Sequence, residues 1–226
     1  MVETQEKLLK ILSDVLWQKT PEHTYSSQEW ETILPVAEDQ GVLYLVLQGC
    51  TSIRQQFSAA SWLKWRSKLI STMLNNETLM AAQSRIIGEM QAEIIPCAVL
   101  KGASLAVCYD NPSARALGDI DLLVPRQFVE QASDILVSQG YHAPQESFAH
   151  PYHIDFYKNG IVVELHYAVS TFPDSPAGAE AKRHMHAWQE QLRQKHIGNH
   201  TFPCLSDSHQ ALSLLLRMER HMTTGC

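Results

Sequence analysis

The chain has 226 residues, 45% of them hydrophobic and 19% charged, with a formal net charge of -6. That length allows one large domain or two small ones, and the composition is that of an ordinary soluble globular protein. The acidity excludes a general coating surface for nucleic acid, while a local basic groove stays compatible with it.

Five cysteines (Cys50, Cys97, Cys108, Cys204 and Cys226) are scattered and form no CxxC pair. They predict reduced thiols in the cytoplasm rather than a disulfide framework or a zinc site. The opening "MVETQEKLLK" lacks the basic-then-apolar layout of a signal peptide, and no apolar run is long enough to span a bilayer. A membrane partner is not expected.

Residues 1–93 read as a helical region. Leu8, Ile11, Leu12, Val15 and Leu16 recur at helical spacing, and Ser26 with Glu29 has the spacing of a capping box. Pro35 and Gly41 punctuate the stretch after that box. From about Ser61 to Ile94 a long helix is expected, with Trp62, Trp65, Leu69, Leu79, Ile86, Ile87 and Met90 as core side chains. At "IIPCAVLKG" the texture changes to a short buried strand over residues 94–100. "ASLAVCY" suits a short helix, "DNPSARALG" a loop, and "DIDLLVP" a second strand stopped by Pro125. "QFVEQASDILVSQG" is an amphipathic helix ended by Gly140. "HIDFYKNGIVVELHYAVS" predicts a hairpin turning at Asn159-Gly160. Residues 94–175 thus form a mixed core, and 176–226 read as a helical carboxy-terminal region. The final helix is strongly apolar and stops abruptly, which predicts that the chain is part of a longer one or packs on another subunit.

The chemistry gathers in "LKGASLAVCYDNPSARALGDIDLLVP". On a strand, residues i and i+2 share a face, so Asp119 and Asp121 present two carboxylates side by side. Such a pair calls for a positive group between them, and magnesium is the natural candidate. A lone DxD means little, but this one has company. Gly102-Ala103-Ser104 follows one strand and opens a helix, where amides and a hydroxyl can hold phosphate. In "VVELHY", Glu164 and His166 share a strand face, and Glu164 is a candidate third carboxylate. The plainer alternatives are an exposed strand charge for Glu164 and a satisfied core histidine for His166.

This arrangement resembles the signature of the DNA polymerase β-type nucleotidyltransferases. The wider stretch is more closely similar to a bacterial family of uncharacterised nucleotidyltransferases. The matching features are Lys101 before the glycine, Arg115 before Gly118 to Asp121, and the acid-x-histidine-aromatic strand from Glu164 to Tyr167. The strong part covers about residues 95–170. Two features depart from the general pattern. The loop between Ser104 and Asp119 is fourteen residues long, and family members usually continue into further carboxy-terminal helices.

The resemblance implies an α+β nucleotidyltransferase core with a small mixed sheet between helical flanks. It implies that Asp119, Asp121 and Glu164 are the catalytic, metal-holding residues for two magnesium ions, with manganese as a substitute. The reaction implied moves a nucleoside monophosphate from a nucleoside triphosphate such as ATP to an acceptor hydroxyl, releasing pyrophosphate. Gly102, Ser104 and Gly118 would line the nucleotide site, and Lys101 or Arg115 would neutralise phosphate charge; a surface role is the alternative for each cation. His153 and His166 are candidate substrate contacts. The acceptor, whether small molecule, protein or RNA, is not encoded in these motifs, nor is the oligomeric state.

Phosphatases with an aspartate nucleophile and sugar-nucleotide glycosyltransferases also carry DxD. They usually place the apolar strand before the aspartates, whereas here "LLV" follows them. A non-catalytic nucleotide-binding or partner-binding module on the same fold is the alternative from another class. "HPYH" (His150, His153) and "HMH" (His184, His186) invite a zinc site, but neither has a convincing partner set in the sequence.

Overall fold

A computed structural model describes residues 2–17, 19, 24–49 and 57–224. The chain packs as two compact units. One comprises residues 1–76 with 113–116, the other 77–112 with 117–226.

In the first unit, helices α1 (Val2–Leu16), α2 (Ser27–Asp39) and α3 (Leu43–Gly49) join the first half of a long helix, α4 (Ala59–Ala92). The expected capping box opens α2. The Glu29 amide donates to the Ser26 hydroxyl at 3.3 Å, and the Ser26 amide donates to Glu29 Oε2 at 2.8 Å. Pro35 lies within α2, and the turn after it is made by Gly41 at φ +68°. Leu8, Ile11, Trp30, Ile33, Leu34 and Trp65 form the core. Leu16, expected on the apolar face of α1, is instead exposed. Asn76 Nδ2 donates to the carbonyls of Ser113 and Arg115, both at 2.7 Å, and so ties the 113–116 segment into this unit.

The second unit is mixed α+β. Among the described residues, its strands are β1 (Ala98–Val99), β2 (Ile120–Leu123), β3 (His153–Lys158), β4 (Ile161–His166), β5 (Arg193–Ile197) and β6 (His200–Cys204). They form one mixed sheet in the order β3-β4-β2-β1-β6-β5. β2 runs parallel to β4 and antiparallel to β1, and β1 runs parallel to β6. Helices α5 (Ala103–Ala106), α6 (Val129–Ser138), α7 (Pro176–His186) and α8 (Asp207–Thr224) complete it with the second half of α4.

Alternation sorts the strand residues by face. Ile120 and Leu122 of β2, Ile154 and Phe156 of β3, and Val163 and Leu165 of β4 enter a large apolar core with Ile86, Met90, Ala132 and Leu136. Asp121, Glu164 and His166 take the opposite face, where Leu123 joins a smaller cluster with Met185, Trp188 and Leu205. Helices pack on both faces, and the polar groups sit on the face of the smaller cluster.

Three boundaries differ from the sequence expectation. The strand expected over 94–100 is only Ala98–Val99, because Ile94, at φ +58° and exposed, turns the chain out of α4. The 176–226 region is not uniformly helical, since β5 and β6 form a hairpin there that extends the sheet. Its outer strand, "RQKHI", is a mostly exposed edge strand with polar side chains, so it carries little apolar alternation to read. Between the units, the boundary falls inside α4 at residues 76/77, rather than at 93.

Candidate active site

The β2 and β4 strands bring the carboxylates together. Their parallel register pairs Asp121 with Glu164 and Leu123 with His166. Asp119 lies one step before β2. One oxygen from each of Asp119, Asp121 and Glu164 falls within 4.8 Å of the others. β1 delivers Lys101: the Leu100 amide donates to the Asp121 carbonyl at 3.1 Å, which sets the next residue over the carboxylates. Lys101 Nζ lies 2.7 Å from Asp121 Oδ1, 3.4 Å from Glu164 Oε2 and 3.7 Å from Asp119 Oδ2. The expectation of a cation between the acids is met by an ammonium of the chain itself.

His166 stands on the other side. Its Nε2 is 3.1 Å from Asp121 Oδ1 and 3.0 Å from Glu164 Oε2. Burial works against its charged form, but the hydrogen bonds to Asp121 and Glu164 outweigh that and hold its pKa above the usual histidine value. The same hydrogen bond from His166 holds Glu164 well below the usual carboxylate range, against its own burial and with help from Lys101. Asp119 moves the other way: burial and then the Asp121 charge push its pKa up, with Lys101 opposing. His153 is held below its usual value by burial and by the neighbouring His166.

The carboxylates fit a divalent cation. Asp121 is fully buried, and its Oδ2 has no hydrogen-bond partner, an acceptor left open in a site where an unused carboxylate oxygen is costly.

The remaining expected residues divide. Gly102 has φ +56° and ψ -108°, a conformation that favours glycine; an added Cβ would lie 3.7 Å from the Asp119 carbonyl oxygen, in ordinary contact. Conformation, not space, demands it. Ser104 departs from its expected role as a phosphate ligand. Its hydroxyl is buried and donates to the Leu100 carbonyl at 3.0 Å and to Gln210 Oε1 at 3.3 Å. Gln210 Nε2 donates to the same Leu100 carbonyl at 2.5 Å, so both side chains brace the strand end that carries Lys101. Gly118 is exposed, with open space where a Cβ would stand. Arg115 belongs to the first unit, where its Nη1 donates to the Ala116 carbonyl at 3.3 Å.

Sequence reasoning passed over Asp155, and met His150 only as half of the "HPYH" pair. Asp155 on β3 pairs in register with Glu164, and its Oδ1 lies 3.1 Å from His153 Nε2. His150 stacks on His153 with ring centroids 3.7 Å apart. The signal for Asp155 was present: a two-residue Asn-Gly turn fixes the hairpin register, and counting back from it sets Asp155 opposite Glu164.

Beyond the ends of β2 and β4 lies a cavity of about 760 Å³, lined by Leu123, Arg126, Tyr167, Phe172, Lys182 and Trp188 among others. Leu123 shares the strand face of Asp121, and Tyr167 directly follows His166, so the cavity begins about two residues, roughly 7 Å, along the strand from the carboxylates.

A mixed sheet with a glycine turn and carboxylates on adjacent parallel strands is the layout that the sequence resemblance led us to expect. Comparison with known families agrees. The profile of the family described as uncharacterised nucleotidyltransferases matches residues 26–226, and the chain belongs to that family. No curated protein matches the chain. Among solved structures it is similar to a candidate nucleotidyltransferase from Thermotoga maritima, at 16% identity and TM-score 0.42, over 62% of this chain and 86% of that one. It is also similar to an antigenic nucleotidyltransferase-like protein from Paracoccidioides brasiliensis, at 17% identity and TM-score 0.38, over 57% of this chain and 60% of that one. Among the described residues, no helix is long and apolar enough to cross a membrane.

Proposed function

We propose that the chain transfers a nucleotidyl group from a nucleoside triphosphate such as ATP to an acceptor hydroxyl. In this reading Asp119, Asp121 and Glu164 hold two magnesium ions, for which manganese substitutes. When bound, the ions supply positive charge to the attacking and leaving oxygens of an in-line displacement. The acceptor oxygen bonds to the α-phosphorus, the bond from that phosphorus to the β-phosphate oxygen breaks, and pyrophosphate and a proton are released.

The chain's own groups have distinct tasks. His166 orients the carboxylates of Asp121 and Glu164 through the hydrogen bonds already described. Lys101 leaves the acids for the phosphate chain, where an ammonium stabilises negative charge. Gly102 supplies the positive φ that turns the chain from Lys101 into α5. The Ser104 hydroxyl braces Leu100 rather than touching phosphate. The acceptor occupies the cavity beyond β2 and β4, with Arg126 and Lys182 toward any anionic part of it. The buried thiols of Cys97 and Cys204 accord with a reducing compartment such as the cytoplasm.

The observation that carries this reading is the convergence of three carboxylates from two strands around one point. Its test is thermal stabilisation by a triphosphate in the presence of magnesium, followed by assay of pyrophosphate release. Stabilisation that disappears in Asp119→Asn with Asp121→Asn supports the site. Equal stabilisation of the double variant rejects it. Binding with no pyrophosphate release, whatever acceptor is supplied, favours the non-catalytic module.

A further inference from the structure

We propose that His153, Glu164 and His166 form a second cation site on the β3–β4 hairpin, suited to a borderline divalent transition ion of the zinc class. The site goes beyond nucleotidyl transfer and does not depend on it.

The hairpin register creates the site. Antiparallel pairing sets His153 opposite His166 and Asp155 opposite Glu164, and alternation turns all four to one face. One ligand atom from each of His153, Glu164 and His166 lies within 4.8 Å of the others. Among the described residues this is one of two such groups, and both include Glu164. Neither "HPYH" nor "HMH" supplied a partner set along the sequence. For His153 the partner set comes across the hairpin.

The donor chemistry separates the two groups. Asp119, Asp121 and Glu164 offer only carboxylate oxygens, which suit hard ions such as magnesium. Two imidazoles and one carboxylate suit zinc, cobalt or nickel better, and three protein ligands leave a position open to water or substrate. The Glu164 Oε2 to His166 Nε2 separation is 3.0 Å, near the edge of about 3.3 Å in a tetrahedron with ordinary zinc bonds. The His153 ring then has to close in by at most about 1.5 Å, within reach of a side-chain rotation.

A second observation points to a missing partner beside the group: Asp155 Oδ1, 3.1 Å from His153 Nε2, is buried and has no hydrogen-bond partner. His166 is buried, and its Nδ1 has no hydrogen-bond partner. That nitrogen lies on the ring edge away from Nε2, so an ion at Nε2 leaves it as it is. Support around the group is also in place. The Asp155 carboxylate stands beside His153 without a hydrogen bond to it, and the His150 ring backs His153 with centroids 3.7 Å apart.

The test is a cobalt titration of the full chain without magnesium, followed by visible absorption. Three proteins are compared: the parent, His153→Ala, and Asp119→Asn with Asp121→Asn. The expected result is one cobalt per chain with a visible ligand-field band, displaced by zinc. Affinity should fall at least tenfold in His153→Ala and stay within about threefold of the parent in the double aspartate variant. Cobalt binding unchanged by His153→Ala, or no binding by the parent, overturns the site. Loss of cobalt from the double aspartate variant alone also overturns it, by assigning the ion to the carboxylates. If His153→Ala does not fold, imidazole nitrogen resonances of the unaltered chain decide: zinc must shift those of both His153 and His166. Triphosphate binding is read separately, so failure of the transferase reading leaves this result interpretable.

Discussion

Lys101 Nζ lies 2.7 Å from Asp121 Oδ1, and the Asp121 side chain is fully buried. With Asp119 and Glu164 also within 4 Å of that ammonium, Lys101 occupies the point where a divalent ion would be drawn. Removing one partner of a buried ion pair typically costs about 3–5 kcal/mol, because the remaining charge is left uncompensated. Lys101→Met is therefore expected to lower the melting temperature sharply in EDTA. Saturating magnesium should restore more stability to the variant than it adds to the parent. A variant as stable as the parent in EDTA would mean that the acids are not held by this contact.

Two glycines separate a packing requirement from a ligand requirement. At Gly178, near the start of α7, an added Cβ would stand 1.9 Å from the Pro173 carbonyl oxygen, a backbone atom that cannot swing away. Gly178→Ala should destabilise the chain by at least the about 1–3 kcal/mol typical of overpacking. Gly118 has open space and no positive φ, so Gly118→Ala should leave the urea midpoint unchanged. Reduced triphosphate affinity in that stable variant would identify Gly118 as a point of ligand approach.

The capping box makes an acid-sensitive contribution. The Ser26 amide, then Lys7 and the Ser26 hydroxyl, lower the Glu29 pKa from its ordinary 4.5 to about 2. A depressed carboxyl stabilises the fold above the unfolded pKa, and that contribution fades as pH falls through the folded value. Between pH 4.5 and 2 the stability gap between parent and Glu29→Gln should therefore narrow. Melting temperatures taken across that window check it; a constant gap would show that the charge contributes nothing.

Thiol reactivity should follow burial. The Cys97 thiol is pushed up to about 12 by burial, and burial also raises Cys204, whereas Cys108 is exposed. Since the thiolate is the nucleophile, brief alkylation of the native chain should label Cys108 well before Cys97 or Cys204, as read by peptide mass spectrometry. Early labelling of Cys97 would require local opening of the strand region that carries it.

Much of the site was legible because its signals are local. The DxD spacing fixes a shared face on any strand, and the Asn-Gly turn fixes the hairpin that carries Glu164. Asn159 and Gly160 do adopt φ +50° and +79°. The illegible remainder depends on distant partners. Nothing near Ser104 in the sequence reveals that Gln210 will meet its hydroxyl, since that contact spans 106 positions. Nor does "RQKHI" announce an edge strand, because its pairing comes from β6 and not from its own apolar pattern. Lys101 could be read as a cation near phosphate, but its seat among all three acids required the β1–β2 pairing.

The most direct test of the central claim is calorimetric titration of a non-hydrolysable triphosphate with and without magnesium, on the parent and on Glu164→Gln. Glu164 comes from a different strand than the two aspartates, so it reports whether the three act as one site. The account expects magnesium-dependent binding to the parent and at least tenfold weaker binding to the folded variant. Binding that is equally tight in both, or indifferent to magnesium, would contradict it.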